Sequence, residues 1–220
     1  MMGLICKTEL PDILSIARAI EADCLVNGPN LDETRDFALK PLIDNRPITL
    51  QRAAGRLEDL SAYRANSAIK LSVPRFGWDA LRRASRPAPD AVIVLLTSAI
   101  AHELVHERQE LNDATSYQEL VAHQNKFHPC AKSTPRDYFD GYYDAVLERE
   151  AHATQAAVAL WCEAEVAGMA LLPGADPLQT EALQRPTKRL KAQGEAGDAD
   201  IDAWWDDVLA RARADITTFI

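Results

Sequence analysis

Apolar positions along this chain recur mostly at helical spacing, and in one place they switch to strand spacing. Over "ELPDILSIARAIEADCLVNG" (9–28), Ile13, Leu14, Ile16, Ala17 and Ile20 fall on one helical face, with Pro11 near the start and Asn27-Gly28 as a stop, so an amphipathic first helix is expected. A weaker helical pattern covers "LDETRDFAL" (31–39), and prolines at 41 and 47 punctuate a connection. The period then drops to two: Ile69, Leu71 and Val73 alternate with Lys70 and Ser72. Arg64-Ala65-Asn66-Ser67 suits a turn back to a shorter strand around Ala62-Tyr63, which makes a small β-hairpin. Residues 74–89 are expected to form a loop, with one turn of helix around Asp79 to Arg83.

Helical spacing returns in "PDAVIVLLTSAIAHELVHERQEL" (89–111). Pro89 and Asp90 suit a helix start, and the apolar run from Ala91 to Ala101 is too short for a bilayer but right for a helix buried on most sides. "GYYDAVLEREAHATQAAVALWCEAEVAGMALL" (141–172), alanine-rich and free of proline, predicts a second long helix that stops at Pro173-Gly174. The stretch between them is expected to be loop-rich, with a short helix around Tyr117 to His123. The tail, 175 to 220, predicts two helices separated by "GEAGDAD". In the second, Ile201, Trp204, Trp205, Val208, Leu209, Ile216 and Phe219 make a packing face, so the tail is expected to be a C-terminal lid or docking element. No internal repeat is present.

These elements define a predominantly helical α+β protein, and 220 residues with 47% hydrophobic and 26% charged residues suffice for a folded core. A net charge of −9 argues against nucleic acid as a partner, because the one basic cluster, "RPTKRLKAQ" (185–193), is too short to track phosphates. The four cysteines, Cys6, Cys24, Cys130 and Cys162, lack CxxC spacing and are expected to be reduced thiols. The N-terminal stretch has neither the basic lead nor the apolar length of a signal peptide, and no segment reaches the ~20 apolar residues of a membrane span. A cytoplasmic protein without a membrane partner is therefore expected. Gly-rich phosphate loops and Ser-centred nucleophile elbows are absent.

The chemistry concentrates in "HELVH" (102–106). Residues i and i+4 of a helix project from one face about a turn apart, so His102 and His106 can direct their imidazoles to one metal ion. Zinc accepts imidazole nitrogen readily, and a catalytic zinc takes three protein ligands and leaves one position for water. Glu103, next to the first histidine, can stand beside that position as general base. The second long helix carries "LEREAHATQ", from which Glu148 can supply a third ligand; His152 and Glu150 compete for that role. Glu150 sits about 200° round a helix from Glu148, so the two cannot face the same ion.

"HELVH" followed downstream by helical "ExxA" (148–151) resembles the gluzincin group of zinc metallopeptidases. The order of hairpin, motif helix and glutamate helix is similar to the minimal versions in ImmA/IrrE-like and phage-associated proteins. The resemblance covers roughly residues 60 to 171. It implies a zincin-like core, a Zn2+ cofactor held by His102, His106 and Glu148, Glu103 as base, and a protein or peptide as substrate. The position four after the third ligand is usually Asp or Asn, which orients the first histidine; here it is His152, which can hydrogen-bond there or ligate directly. On this basis the chain divides into an N-terminal helical part (1–59), a zincin-like core (60–172) and a C-terminal helical appendage (173–220), together forming one compact unit.

Tyr138, Tyr142 and Tyr143, near the start of the glutamate helix, offer phenolic donors for an oxyanion. Gln109 shares the face of His102 and His106 and could contact a group behind the ligands, but its expected place is in solvent. His123, His128 and Cys130 in "HQNKFHPC" match no zinc spacing and are read as incidental. The expected activity is zinc-dependent hydrolysis of peptide bonds; the alternative is a non-catalytic, zinc-stabilised binding or regulatory module, for which a base at Glu103 has no use. A di-iron helical protein would need a second Glu-x-x-His besides "ELVH", and the chain has none.

Overall fold

The computed structural model describes residues 5–27, 35–38, 47–52, 61–65, 68–73, 91–125, 139–143, 145–175, 187, 190–191 and 196–219. A 3-10 turn (Lys7–Glu9) leads into α1 (Leu10–Asn27), followed by four strands, β1 (Arg35–Ala38), β2 (Pro47–Arg52), β3 (Ser61–Ala65) and β4 (Ala68–Val73). Then come α2 (Ala91–Asn112), α3 (Ala114–Asn125), a π-helical turn (Phe139–Tyr143), α4 (Val146–Val166) and α5 (Asp198–Phe219). The protein is a predominantly helical α+β molecule. The expected turn of helix at 79–83, the first tail helix except Thr187, Leu190 and Lys191, and the Pro89-Asp90 start lie outside the described residues.

The apolar run before the histidines makes α2 the central helix. Val92, Ile93, Val94, Leu96, Ile100, Ala101, Leu104 and Val105 are all buried, which is how a helix apolar on nearly every side behaves when it is enclosed. Its neighbours are α1 on one side, α4 on another, and strands β3 and β4. α1 offers Leu10, Ile13, Leu14, Ala17 and Ile20 to the core, close to the face its periodicity predicts. The segment ahead of it is tied to α2 by Glu9, which pairs in two-pronged fashion with Arg108 and also accepts the Cys6 N–H at 2.7 Å.

The strands form one mixed sheet in the order β1-β2-β4-β3. The expected hairpin is present as β3 antiparallel to β4, but Ala65 pairs with Ala68, so Arg64 and Ala65 belong to the strand and not to the turn. β4 also pairs parallel with β2, setting Ile48 beside Ile69 and Leu50 beside Leu71. The helix expected over 31–39 is not formed at 35–38: Arg35 to Ala38 pair antiparallel with Leu50 to Pro47 as β1. A weak local helical preference loses to a ladder of backbone hydrogen bonds. Pro47 likewise opens β2 instead of marking a connection, at the strand-initial position where a missing N–H is tolerated.

Two helix boundaries also differ from expectation. α3 is a full 12-residue helix rather than a short piece, started by Asp113, whose carboxylate accepts the Ser116 N–H at 3.0 Å. α4 begins at Val146, after extended Ala145, and ends at Ala167 instead of running to Pro173-Gly174. Gly168 takes φ +65, and the N–H groups of Gly168 and Met169 turn back to the carbonyls of Glu165 and Ala164 at 3.1 and 2.8 Å. A left-handed glycine closes the helix before the proline is reached. α5 packs on α4 through the face its sequence predicts: Ile201, Trp204, Trp205, Val208, Leu209, Ile216 and Phe219 are all buried, joined by Ala212. One hydrophobic cluster runs from Ile5 to Phe219.

Candidate metal centre

α2 and α4 lie side by side and run in opposite directions, with Thr97 beside Cys162, His102 beside Gln155 and His106 beside Glu148. Buried alanines at 151, 153, 156, 157 and 159 of α4 keep its flanks narrow, which allows close helix approach. Glu148 occupies the first turn of α4, where the helix N-terminus favours an anion. The outcome is a convergence of atoms from two helices 42 residues apart in sequence at the His106–Glu148 pair.

His102 Nε2 and His106 Nε2 are 3.2 Å apart, and each is 3.5 Å from an oxygen of Glu148. These three donors are the one group among the described residues suited to hold a metal ion. Zinc bound at about 2.0–2.2 Å in tetrahedral geometry separates its ligand atoms by about 3.3–3.6 Å, so the spacing fits. The donor types fit as well.

The outward nitrogens are held by amides. Gln109 donates through Nε2 to the Leu147 carbonyl at 3.2 Å and to Glu150 Oε2 at 3.0 Å, which leaves its Oε1 facing His106 Nδ1 at 2.8 Å. An amide oxygen only accepts, so Nδ1 of His106 donates to it and Nε2 is the nitrogen that faces inward. Gln155 Oε1 faces Nδ1 of both His102, at 3.1 Å, and His152, at 3.2 Å. Gln109 is therefore buried and engaged, not solvated as its polarity suggests, because α4 covers the end of α2 where it sits. Gln155 has no counterpart in the sequence reading. Its only signal is its place one turn beyond His152 on the face that carries Glu148.

Electrostatics follow from burial among charges. Burial works against a charged His106, but the hydrogen bond and charge of Glu148, the charge of Glu103 and the bond to Gln109 outweigh it, raising the pKa to about 9. Burial also opposes ionisation of Glu148, yet its contacts with His102 and His106 hold it well below the ordinary carboxylate range. The metal-free cluster thus keeps a proton where a cation would sit. Glu103 is 5% exposed and near enough for its charge to act on His106.

His152 lies beside the triangle of donors, its Nε2 3.9 Å from Glu148 Oε2 and its ring 4.7 Å from that of His102. Glu150 does not join the donors; it faces Gln109. Tyr142 and Tyr143 fall in the π-helical turn, but their side chains, and the whole of Tyr138, lie outside the described residues, as do His128 and Cys130. His123 is exposed on α3. Cys6 is an exposed free thiol and Cys162 a buried one that donates to Thr97 Oγ1 at 3.6 Å. No helix among the described residues is long and apolar enough to cross a membrane. No protein-family model, curated protein or solved structure matches the chain.

Proposed function

We propose that His102, His106 and Glu148 hold one zinc ion and that the protein is a zinc-dependent peptidase of the gluzincin kind, with a zincin-like core. The observation that carries this reading is the inward convergence of two imidazole Nε2 atoms and a carboxylate at 3.2–3.5 Å. Such an arrangement is unfavourable without a proton or cation at its centre. Bound there, zinc would supply a Lewis acid that makes water nucleophilic near neutral pH and polarises a carbonyl.

This chain's residues would do the rest. Glu103 takes the proton from the attacking water on its carboxylate and passes it to the departing amine. Gln109 and Gln155 hold His106 and His102 in the tautomer that faces the ion. β3 lies against α2 and is the last strand of the sheet among the described residues, an edge along which an extended peptide can align.

The test is metal analysis joined to a proteolysis assay. Protein purified without chelator and supplied with zinc should retain about one ion per chain; His102→Ala should lose it. Glu103→Gln should keep the ion and lose at least ~100-fold in peptide hydrolysis. Wild-type protein without stoichiometric metal removes the reading. Zinc retained in a protein that cleaves no peptide in an unbiased library leaves the non-catalytic module instead.

A further inference from the structure

From α4, His102 is oriented by Gln155, three residues after His152. Gln155 accepts the Nδ1–H of His102, so His152 is not needed to orient that ring. The same Gln155 oxygen accepts the Nδ1–H of His152. Both imidazoles are therefore anchored through Nδ1 on Gln155, and Nε2 is the nitrogen left to face the cluster. For His152 that nitrogen lies 3.9 Å from Glu148 Oε2, the same oxygen that lies 3.5 Å from His102 Nε2.

We propose that His152 is a fourth protein donor to the ion, giving a set of three imidazoles and one carboxylate. The proposal rests on the metal reading above and deepens it. His152 is on the same face of α4 as Glu148, its side chain is 12% exposed, and its ring is braced from behind by Trp204, edge to face at 5.4 Å and 84°. Its Nε2 stands just outside the triangle of the other donors, 3.9 Å from one corner, against about 3.3–3.6 Å between ligands of a tetrahedral zinc. His152 lies outside the group of three whose donor atoms already converge, and a bound ion would close that last gap.

Two consequences follow. An imidazole-rich set selects zinc, copper or nickel over magnesium or calcium. Four protein donors also leave a tetrahedral ion without an open position, so water or substrate reaches it through a five-coordinate arrangement or by displacing His152. His152 thereby sets both the affinity for the ion and its accessibility.

X-ray absorption spectroscopy on the zinc-loaded full chain counts imidazoles directly. Three per zinc are expected in the wild-type protein and two in His152→Phe, which keeps a ring against Trp204 but has no nitrogen. Competition against a chromophoric chelator should show a zinc affinity for the variant lower by at least the ~10–100-fold that losing a ligand's outer hydrogen-bond partner costs. Two imidazoles in the wild-type protein would overturn the proposal while leaving the three-donor site intact, and that count stands whether or not His152→Phe folds. Wild-type protein that holds no zinc removes the metal reading itself, and this inference with it.

Discussion

α4 has two working faces, and they are built on different principles. Toward α2 it presents Glu148, His152 and Gln155, with Glu150 reached by Gln109, a polar interface in which each contact fixes the direction of another group. Toward α5 it meets Trp204, Trp205, Val208 and Leu209, an apolar interface rimmed by Arg149–Asp207 and Thr154–Asp215. Area buried is what matters on the second face; tautomer and distance are what matter on the first. A substitution should therefore be costly on the α5 side in proportion to the volume removed, and on the α2 side in proportion to the directionality lost.

The largest expected effect is on the apolar side. Trp204 is 2% exposed and touches His152, Phe139 and Trp205. Trp204→Ala should destabilise the protein by about 3–5 kcal/mol, read from denaturant unfolding of the zinc-free chain. If it instead costs less than ~1 kcal/mol, α5 is an ornament on the core and the contrast between the faces fails.

On the polar side, Gln109→Leu keeps the bulk but removes the acceptor for His106 Nδ1–H and the donor to Leu147 and Glu150. Zinc affinity should fall ~10–100-fold, about 1.4–2.8 kcal/mol, measured by chelator competition. An unchanged affinity would mean that the His106 tautomer needs no amide to hold it.

Protonation sharpens the contrast further, because the polar face carries His106 and Glu148, whose pKa values are shifted in opposite directions by their contact. With the His106 pKa raised to about 9, zinc must displace a proton at pH 7.5, so its apparent affinity should climb by about tenfold per pH unit and level off near 9. Calorimetry in buffers of different ionisation enthalpy reads the released proton. In the zinc-free fold His106 binds its proton more tightly than in the unfolded chain, so the His106–Glu148 pair contributes fully below about 6.5 and progressively less as pH rises through 9. Glu148, shifted the other way, contributes above 4.5 and less as pH falls below that. The zinc-free protein should be most stable between those limits.

The same division explains what could be read from the chain. Ile201, Trp204, Trp205, Val208, Leu209, Ile216 and Phe219 announce their interface by spacing alone, because helical burial is periodic. His102 and His106 are legible for a related reason: both ligands sit one turn apart on one helix. Glu148 is one of three candidates that the second long helix offers, and only the resemblance to a known pattern favours it, while Gln155 gives no signal, because a lone glutamine on an alanine-rich helix is not periodic. Gln109 was on the right face but its burial depends on α4, 38 residues away at Leu147. The pairing of β1 with β2 is non-local and leaves no trace in the local pattern of 31–39, and Gly168 sits mid-pattern with no local sign of the left-handed turn that closes α4.

The smallest expected effect tests whether charge at the apolar face behaves differently from charge at the polar one. Asp207 accepts from Arg149 at 3.0 Å and from Arg211 at 3.1 Å, and both Arg149 and Asp207 are substantially solvent-exposed. Water screens such pairs, and Arg211 remains to serve Asp207 when Arg149 is removed, so Arg149→Ala should cost under ~1 kcal/mol and lose most of that in high salt. Zinc affinity should not move, although Arg149 directly follows Glu148 in sequence, because its side chain leaves α4 toward α5. A drop in zinc affinity comparable to that of Gln109→Leu would show that the two faces of α4 are coupled, and that the orientation of Glu148 is set from the α5 side as well as from α2.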